Sequence, residues 1–254
     1  MSSPFDTTII FVPGAWHGPE AFFDVGDRLR TNGYNIDYVN LASVGPTTHL
    51  KDFQPDVAVI REHITKAVSA GQQVVMVVHS YGGVPTSDAV HGLDYSSRQA
   101  AGQPGGVTHM FFCCSFLIPV GQSLQGAFGG NDLPWYNVSD DKTEINPMTP
   151  EKIFYNDMPQ DMVRKWVAKL RPHSYQTLHS KVEHAMWRTV PSTYLYCLQD
   201  NAIPIAVQEL MVKEWAGGAG VTIRTETVDA AHSPFFTKPD EMAVAIVKAA
   251  ELKI

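Results

Sequence analysis

The sequence predicts an α/β fold: a mostly parallel six-stranded sheet with helices on both faces and a helical cap inserted after the fourth strand. Three observations predict it. Apolar, strand-like runs alternate with amphipathic helical patterns, as βαβ units require. Val74-Val75-Met76-Val77-Val78 is apolar at every position, which suits a central parallel strand covered on both faces. One segment, 119–190, breaks the alternation and is too long for an ordinary connection.

The expected strands are 8–12, 35–42, 74–79, 107–114, 193–198 and 221–228. Between them, 55–70 places Val57, Ile60, Ile64 and Ala67 on one helical face, with Pro55 at the start and Gly71 past the end. A helix over 204–216 opens at Pro204 and stops at Gly217-Gly218. The last helix starts at Thr237-Lys238-Pro239-Asp240, which reads as a capping box with Asp in the Glu position. Inside the inserted segment, 119–134 is rich in Gly and Pro and reads as loop. The stretch 159–170 then sets Met162, Val163, Trp166, Val167 and Leu170 on one side of a helix stopped by Arg171-Pro172, and further helical pattern runs over 175–187. The expected organisation is therefore a core of 1–118 and 191–254 with 119–190 as a lid.

Composition narrows the function classes. At 254 residues, 44 % hydrophobic and 18 % charged, the chain can bury a sizeable core, which excludes a disordered protein. A net charge of −7 without a basic run lacks the footprint that nucleic-acid backbones require. No apolar stretch approaches the ~20 residues of a membrane span, and the first residues carry no leader pattern. The sequon at Asn137 matters only in a secreted chain. Three cysteines, Cys113, Cys114 and Cys197, sit in apolar runs and read as buried free thiols rather than a disulfide framework. The expectation is a soluble cytoplasmic protein, monomer or homodimer.

The chemistry concentrates at Val78-His79-Ser80-Tyr81-Gly82-Gly83, between the most apolar strand and a helical segment over 84–93. This is the setting of a nucleophile elbow, G-x-S-x-G, in which a tight strand-to-helix turn lifts a serine above the sheet. Val78 stands where the first Gly is expected. A serine nucleophile needs a base, and the base needs an orienting acceptor. His232 follows the last strand, where catalytic groups gather at carboxyl ends of parallel strands. His79 should point away from Ser80, because strand neighbours alternate sides. His173, His179 and His184 are spaced wrongly for one helical face, so no zinc site is expected. For the acid, Asp200 at the end of the fifth strand competes with Asp229 on the loop of His232 itself; a partner on the neighbouring strand holds the ring more rigidly, which favours Asp200. Oxyanion donors are expected from the Tyr81 amide and, in the loop Val12-Pro13-Gly14-Ala15-Trp16-His17-Gly18, from the Ala15 or Trp16 amide.

With these residues in place the chain resembles the α/β-hydrolase superfamily, and within it the plant methylesterase and hydroxynitrile lyase branch. Pro13-Gly-Ala-Trp-His-Gly18 resembles the loop after the first strand, and His79-Ser-Tyr-Gly-Gly83 the elbow. Cys197-Leu-Gln-Asp-Asn-Ala-Ile-Pro204 resembles the acid loop, and Ala230-Ala-His-Ser233 the histidine loop. The resemblance implies a catalytic set of Ser80, Asp200 and His232, with Ala15 and Tyr81 as the oxyanion amides and neither a metal nor an organic cofactor. Pro13 and Val78 depart from the family's His and Gly. Ser233 stands where lyase members carry a lysine, which disfavours cyanohydrin cleavage.

The function expected is hydrolysis of a carboxylic ester (a methyl ester, lactone or aryl ester) of a small to medium apolar acid. Trp16, Tyr81, Phe116, Trp135 and Phe235 are the candidates for the pocket wall. A receptor that keeps the triad is the alternative from another class, as is a biosynthetic enzyme using the same pocket for lactonisation, thioester release or carbon–carbon cleavage.

Overall fold

The computed structural model describes residues 6–252, so the first residues, read for a leader pattern, lie in part outside the described residues. Six strands form one sheet: β1 (Thr7–Val12), β2 (Asn35–Tyr38), β3 (Gln73–His79), β4 (Gly106–Cys113), β8 (Ser192–Cys197) and β9 (Arg224–Val228). Their order is β2-β1-β3-β4-β8-β9, and every pairing is parallel. All side chains of β1, β4 and β8 and six of seven in β3 are buried, because helices cover both faces of the sheet. One apolar core includes Ile10, Met76 and Phe112, the other Phe11, Val77 and Phe111. Alternation along each strand divides the residues between the two.

β2 and β3 lie on opposite sides of β1, so the strand order reverses between β1 and β3. In open parallel sheets a crevice forms at this point, beyond the carboxyl ends of the strands. The loop after β1 and the turn after β3 both open into it.

The edge strands are shorter than the sequence pattern suggests. β2 stops at Tyr38, where its register with β1 ends, and β9 starts at Arg224, where its register with β8 begins. The helix expected at 204–216 runs as one α-turn, Ile205–Glu209, and then widens into π-type turns over Leu210–Ala216. The capping box at Thr237 does not form. The helix begins at Pro239 with no side-chain cap, and Thr237 instead donates to Asp157 Oδ2 at 2.8 Å.

The segment between β4 and β8 holds short helices at Leu124–Ala127, Pro150–Ile153 and Gln160–Val167. It also carries a three-stranded antiparallel sheet of β5 (Tyr136–Val138), β6 (Glu144–Pro147) and β7 (His173–Ser174), which the sequence did not suggest. Strands of two to four residues leave too little alternation to read. The pattern at 175–187 resolves into two 3₁₀ turns, Tyr175–His179 and Met186–Arg188.

Val78 sits fully buried in β3, paired with Val12 on one side and Phe112 on the other. A glycine here would remove a packed side chain and loosen the strand. Val78→Gly is expected to cost about 2–4 kcal/mol, lowering the melting temperature by roughly 5–15 °C in a thermal scan against wild type.

Candidate active site

Ser80 leaves β3 with φ of +51°, in the left-handed region that L side chains rarely adopt. Such strain persists only where the surroundings enforce it. Here the Ser80 carbonyl accepts from Phe116 N (3.2 Å) and Ser115 Oγ (2.7 Å), which ties the elbow to the segment after β4. Two glycines permit the close approach of the β1 loop. A Cβ on Gly82 would lie 2.4 Å from the Pro13 carbonyl oxygen, and one on Gly14 would lie 2.8 Å from Ser80 Cβ. The pattern's second Gly is thus demanded by contact, whereas its first is replaced by core packing at Val78.

His232 stands on the loop after β9, fully buried, and its Nδ1 lies 2.8 Å from Asp200 Oδ2. The other carboxylate oxygen of Asp200 accepts from Ala202 N (2.7 Å) and Ile203 N (2.8 Å). These two backbone N–H donors fix the orientation of the carboxylate. That carboxylate fixes the proton of His232 on Nδ1 and leaves the Nε2 lone pair free to act as a base. Asp229 is exposed and accepts from Gln199 Nε2 instead, so it does not meet the ring.

The backbone of His232 is held as firmly as its ring. His79 Nε2 donates to the His232 carbonyl at 2.9 Å, and Cys114 Sγ donates to the same oxygen at 3.3 Å. Burial holds the His79 imidazole well below its ordinary pKa, so it stays neutral. It faces the core on the far side of the sheet, as strand alternation requires. Sequence reasoning set His79 aside as a base and missed this anchoring role; nothing in the local pattern announces it.

Gln208 was also missed. Fully buried, it accepts from Cys197 N at 3.1 Å through Oε1, while its Nε2 donates to the Ile203 carbonyl at 2.7 Å and the Cys197 carbonyl at 3.1 Å and reaches Asp200 Oδ2 at 3.5 Å. It clamps the end of β8 to the turn that carries Asp200.

Ser80, Tyr81, His232 and Ala15 line one cavity. Trp16, Phe116 and Trp135 line it as expected, joined by Phe154, Tyr136 and Leu178 from the inserted segment. Phe235 does not. The chain after His232 turns to the opposite face of the sheet, where the Phe235 ring packs 4.7 Å from Phe22 and 5.0 Å from His79. Proximity in sequence to His232 was the misleading signal.

Two side-chain hydrogen bonds join the β1 loop to the inserted segment. Trp16, at φ of +65°, donates from Nε1 to the Ile145 carbonyl at 2.8 Å. His17 Nδ1 donates to the Ala15 carbonyl (2.9 Å), so its Nε2 accepts from Tyr155 OH (2.8 Å). Burial lowers His17 to about 4, which keeps this neutral tautomer in place at neutral pH.

Behind the cavity, Tyr81 OH donates to Asp56 Oδ2 at 2.8 Å, while Asp56 Oδ1 accepts from Ser43 N at 2.9 Å. Asp56 is fully buried, and desolvation pushes its carboxyl above the usual carboxylate range; bonds from Ser43 and Tyr81 offset this only in part. The three histidines set aside as a zinc site stay apart. His173 lies 3.0 Å from Thr177 Oγ1, whereas His184 stacks on His91.

The chain belongs to the alpha/beta hydrolase family, which it matches over residues 9–245. It is 31 % identical to an alpha/beta hydrolase, nvfD, of Aspergillus novofumigatus, over 95 % of this chain and 96 % of that one. It is 23 % identical to methylesterase 7 of Arabidopsis thaliana over 95 % of each chain. Among solved structures, a pyrethroid hydrolase from Sphingobium faniae superposes with a TM-score of 0.75 at 19 % identity, over 96 % of this chain and 97 % of that one.

Because Asp56 binds its proton more tightly folded than unfolded, its contribution to stability falls as pH rises from its ordinary value, 3.8, towards its raised folded value. Asp56→Asn lacks that penalty. Melting curves of both proteins across this window are expected to show the variant gaining on wild type as pH rises; a constant difference would contradict the assignment.

Proposed function

We propose that this chain hydrolyses a carboxylic ester of a small to medium apolar acid through an acyl-enzyme on Ser80. The observation that carries the reading is the buried His232–Asp200 pair, whose ring shares one cavity with Ser80. Ser80 Oγ attacks the ester carbonyl while His232 Nε2 takes its proton, and Asp200 stabilises the imidazolium through Nδ1. The tetrahedral oxyanion is held by the backbone amides of Tyr81 and Ala15. His232 then protonates the departing alcohol, and water repeats the sequence in reverse roles to free the acid.

The cavity argues for an apolar acyl or aryl group. Trp16, Phe116, Trp135 and Phe154 offer carbon faces to such a group. Relatives named methylesterase and pyrethroid hydrolase support ester cleavage as the reaction class. Segment 119–190 serves as the lid, since it supplies Leu133, Trp135, Tyr136, Phe154 and Leu178 to the wall. The substrate is a small ester or lactone. No helix of the described residues is long and apolar enough to cross a membrane, and we place the enzyme in the cytoplasm.

A fluorophosphonate is expected to modify wild-type protein at Ser80, read by intact mass and peptide mapping. Ser80→Ala and His232→Ala should lose both this label and turnover of a panel of apolar methyl and aryl esters. Asp200→Asn, which misdirects the His232 proton, should lower kcat by about 10⁴-fold. Ester turnover unchanged in Ser80→Ala would overturn the reading.

A further inference from the structure

Beneath His232, on the side of the sheet away from the cavity, lies a group of side chains that the proposed reaction does not use. Cys113 ends β4, Cys114 follows it, and Cys197 ends the neighbouring β8; all three are free thiols and fully buried. Strand alternation would send Cys113 and Cys114 to opposite faces. Cys114 instead has φ of +33°, a strained conformation for a residue with a side chain, and both sulfurs enter the same core. The three sulfurs lie within 4.8 Å of one another, and the ligating atoms of His79, Cys114 and His232 fall within the same span.

We propose that Cys113, Cys114 and Cys197 bind one soft divalent cation of the zinc and cadmium class, and that filling this site disables His232. Three thiolates supply the sulfur ligands on which structural zinc sites are built. With metal–sulfur bonds near 2.3 Å the sulfurs of such a site stand about 3.8 Å apart, so the cluster, whose sulfurs lie within 4.8 Å of one another, contracts by at most about an ångström. Soft thiolates select this class of cation over magnesium or calcium. On binding, the three thiols release their protons to water and their sulfur lone pairs form the bonds; no electron is transferred.

The link to His232 is direct. Its carbonyl is held by two donors, His79 Nε2–H and Cys114 S–H, and the Cys114 proton is lost when the cation binds. The carbonyl then faces a thiolate in place of that donor, and the loop shifts the ring within the cavity it shares with Ser80. Entry follows local opening of the strand ends, so inhibition develops slowly rather than on mixing. This inhibitory arm rests on the ester hydrolysis proposed above; the binding arm does not.

The experiment is a titration of the wild-type protein with cadmium chloride, followed by the ultraviolet sulfur-to-cadmium charge-transfer band. The expected result is a band that saturates at one cadmium per chain, with the mass of a single bound ion and protection of all three cysteines from iodoacetamide. Cys113→Ser and Cys197→Ser should each reduce the band by about a third per bound ion and weaken binding. Because protection is read on wild-type protein, it decides the case even where a variant fails to fold. Ester hydrolysis by wild type should fall in step with the band, by about a hundredfold or more, and return with EDTA. No saturating band, or cysteines alkylated as readily with cadmium as without, overturns the site. A saturated site with undiminished hydrolysis overturns its coupling to His232. A saturated site on a protein that cleaves no ester leaves the cation site standing and overturns the hydrolase reading alone.

Discussion

His232 is fixed from two directions at once: its ring by Asp200 and its carbonyl by His79 and Cys114. A loop residue held only by its side chain would swing about its backbone, and one held only by its backbone would rotate its ring. Each holding group comes from a different strand end. Asp200 follows β8, His79 ends β3 and Cys114 follows β4, so the histidine loop after β9 is registered against the middle of the sheet. The order of the strands is what makes this geometry available.

The same economy governs the other side of the cavity. The β1 loop closes on the elbow to the point where two glycines become obligatory, at Gly14 and Gly82. That closeness brings the Ala15 and Tyr81 backbones to one place. The loop also reaches outward, through Trp16 to the Ile145 carbonyl and through neutral His17 to Tyr155. Movement of the inserted segment would therefore be felt at the β1 loop. Tyr81 is braced from behind by Asp56, a buried carboxyl whose cost in desolvation is offset in part by the bonds it accepts.

Much of this was legible in the sequence because it depends on local chemistry. A run of apolar residues marked β3, Ser80 and Gly82 marked the turn, and strand ends marked Asp200 and His232. What escaped notice depends on contacts between distant residues. His79, Gln208 and Asp56 do their work through partners 153, 11 and 25 residues away, and none sits in a recognisable pattern. Phe235 was misplaced because nearness to His232 along the chain says nothing about which face of the sheet a following turn will choose. The three-stranded sheet of the insertion was hidden by strands too short to show a period. The wall residue Phe154 was hidden in turn, since its ring meets Trp16 and His232 only through that folding.

The central claim is that Asp200 holds a proton on His232 Nδ1, leaving Nε2 as the base. Proton NMR of the protein in water reads that proton directly, as a low-field resonance shielded from exchange by burial. The account predicts the resonance in wild type and in Ser80→Ala, and its loss in Asp200→Ala and in His232→Ala. Its persistence in Asp200→Ala, with the fold intact, would contradict the claim.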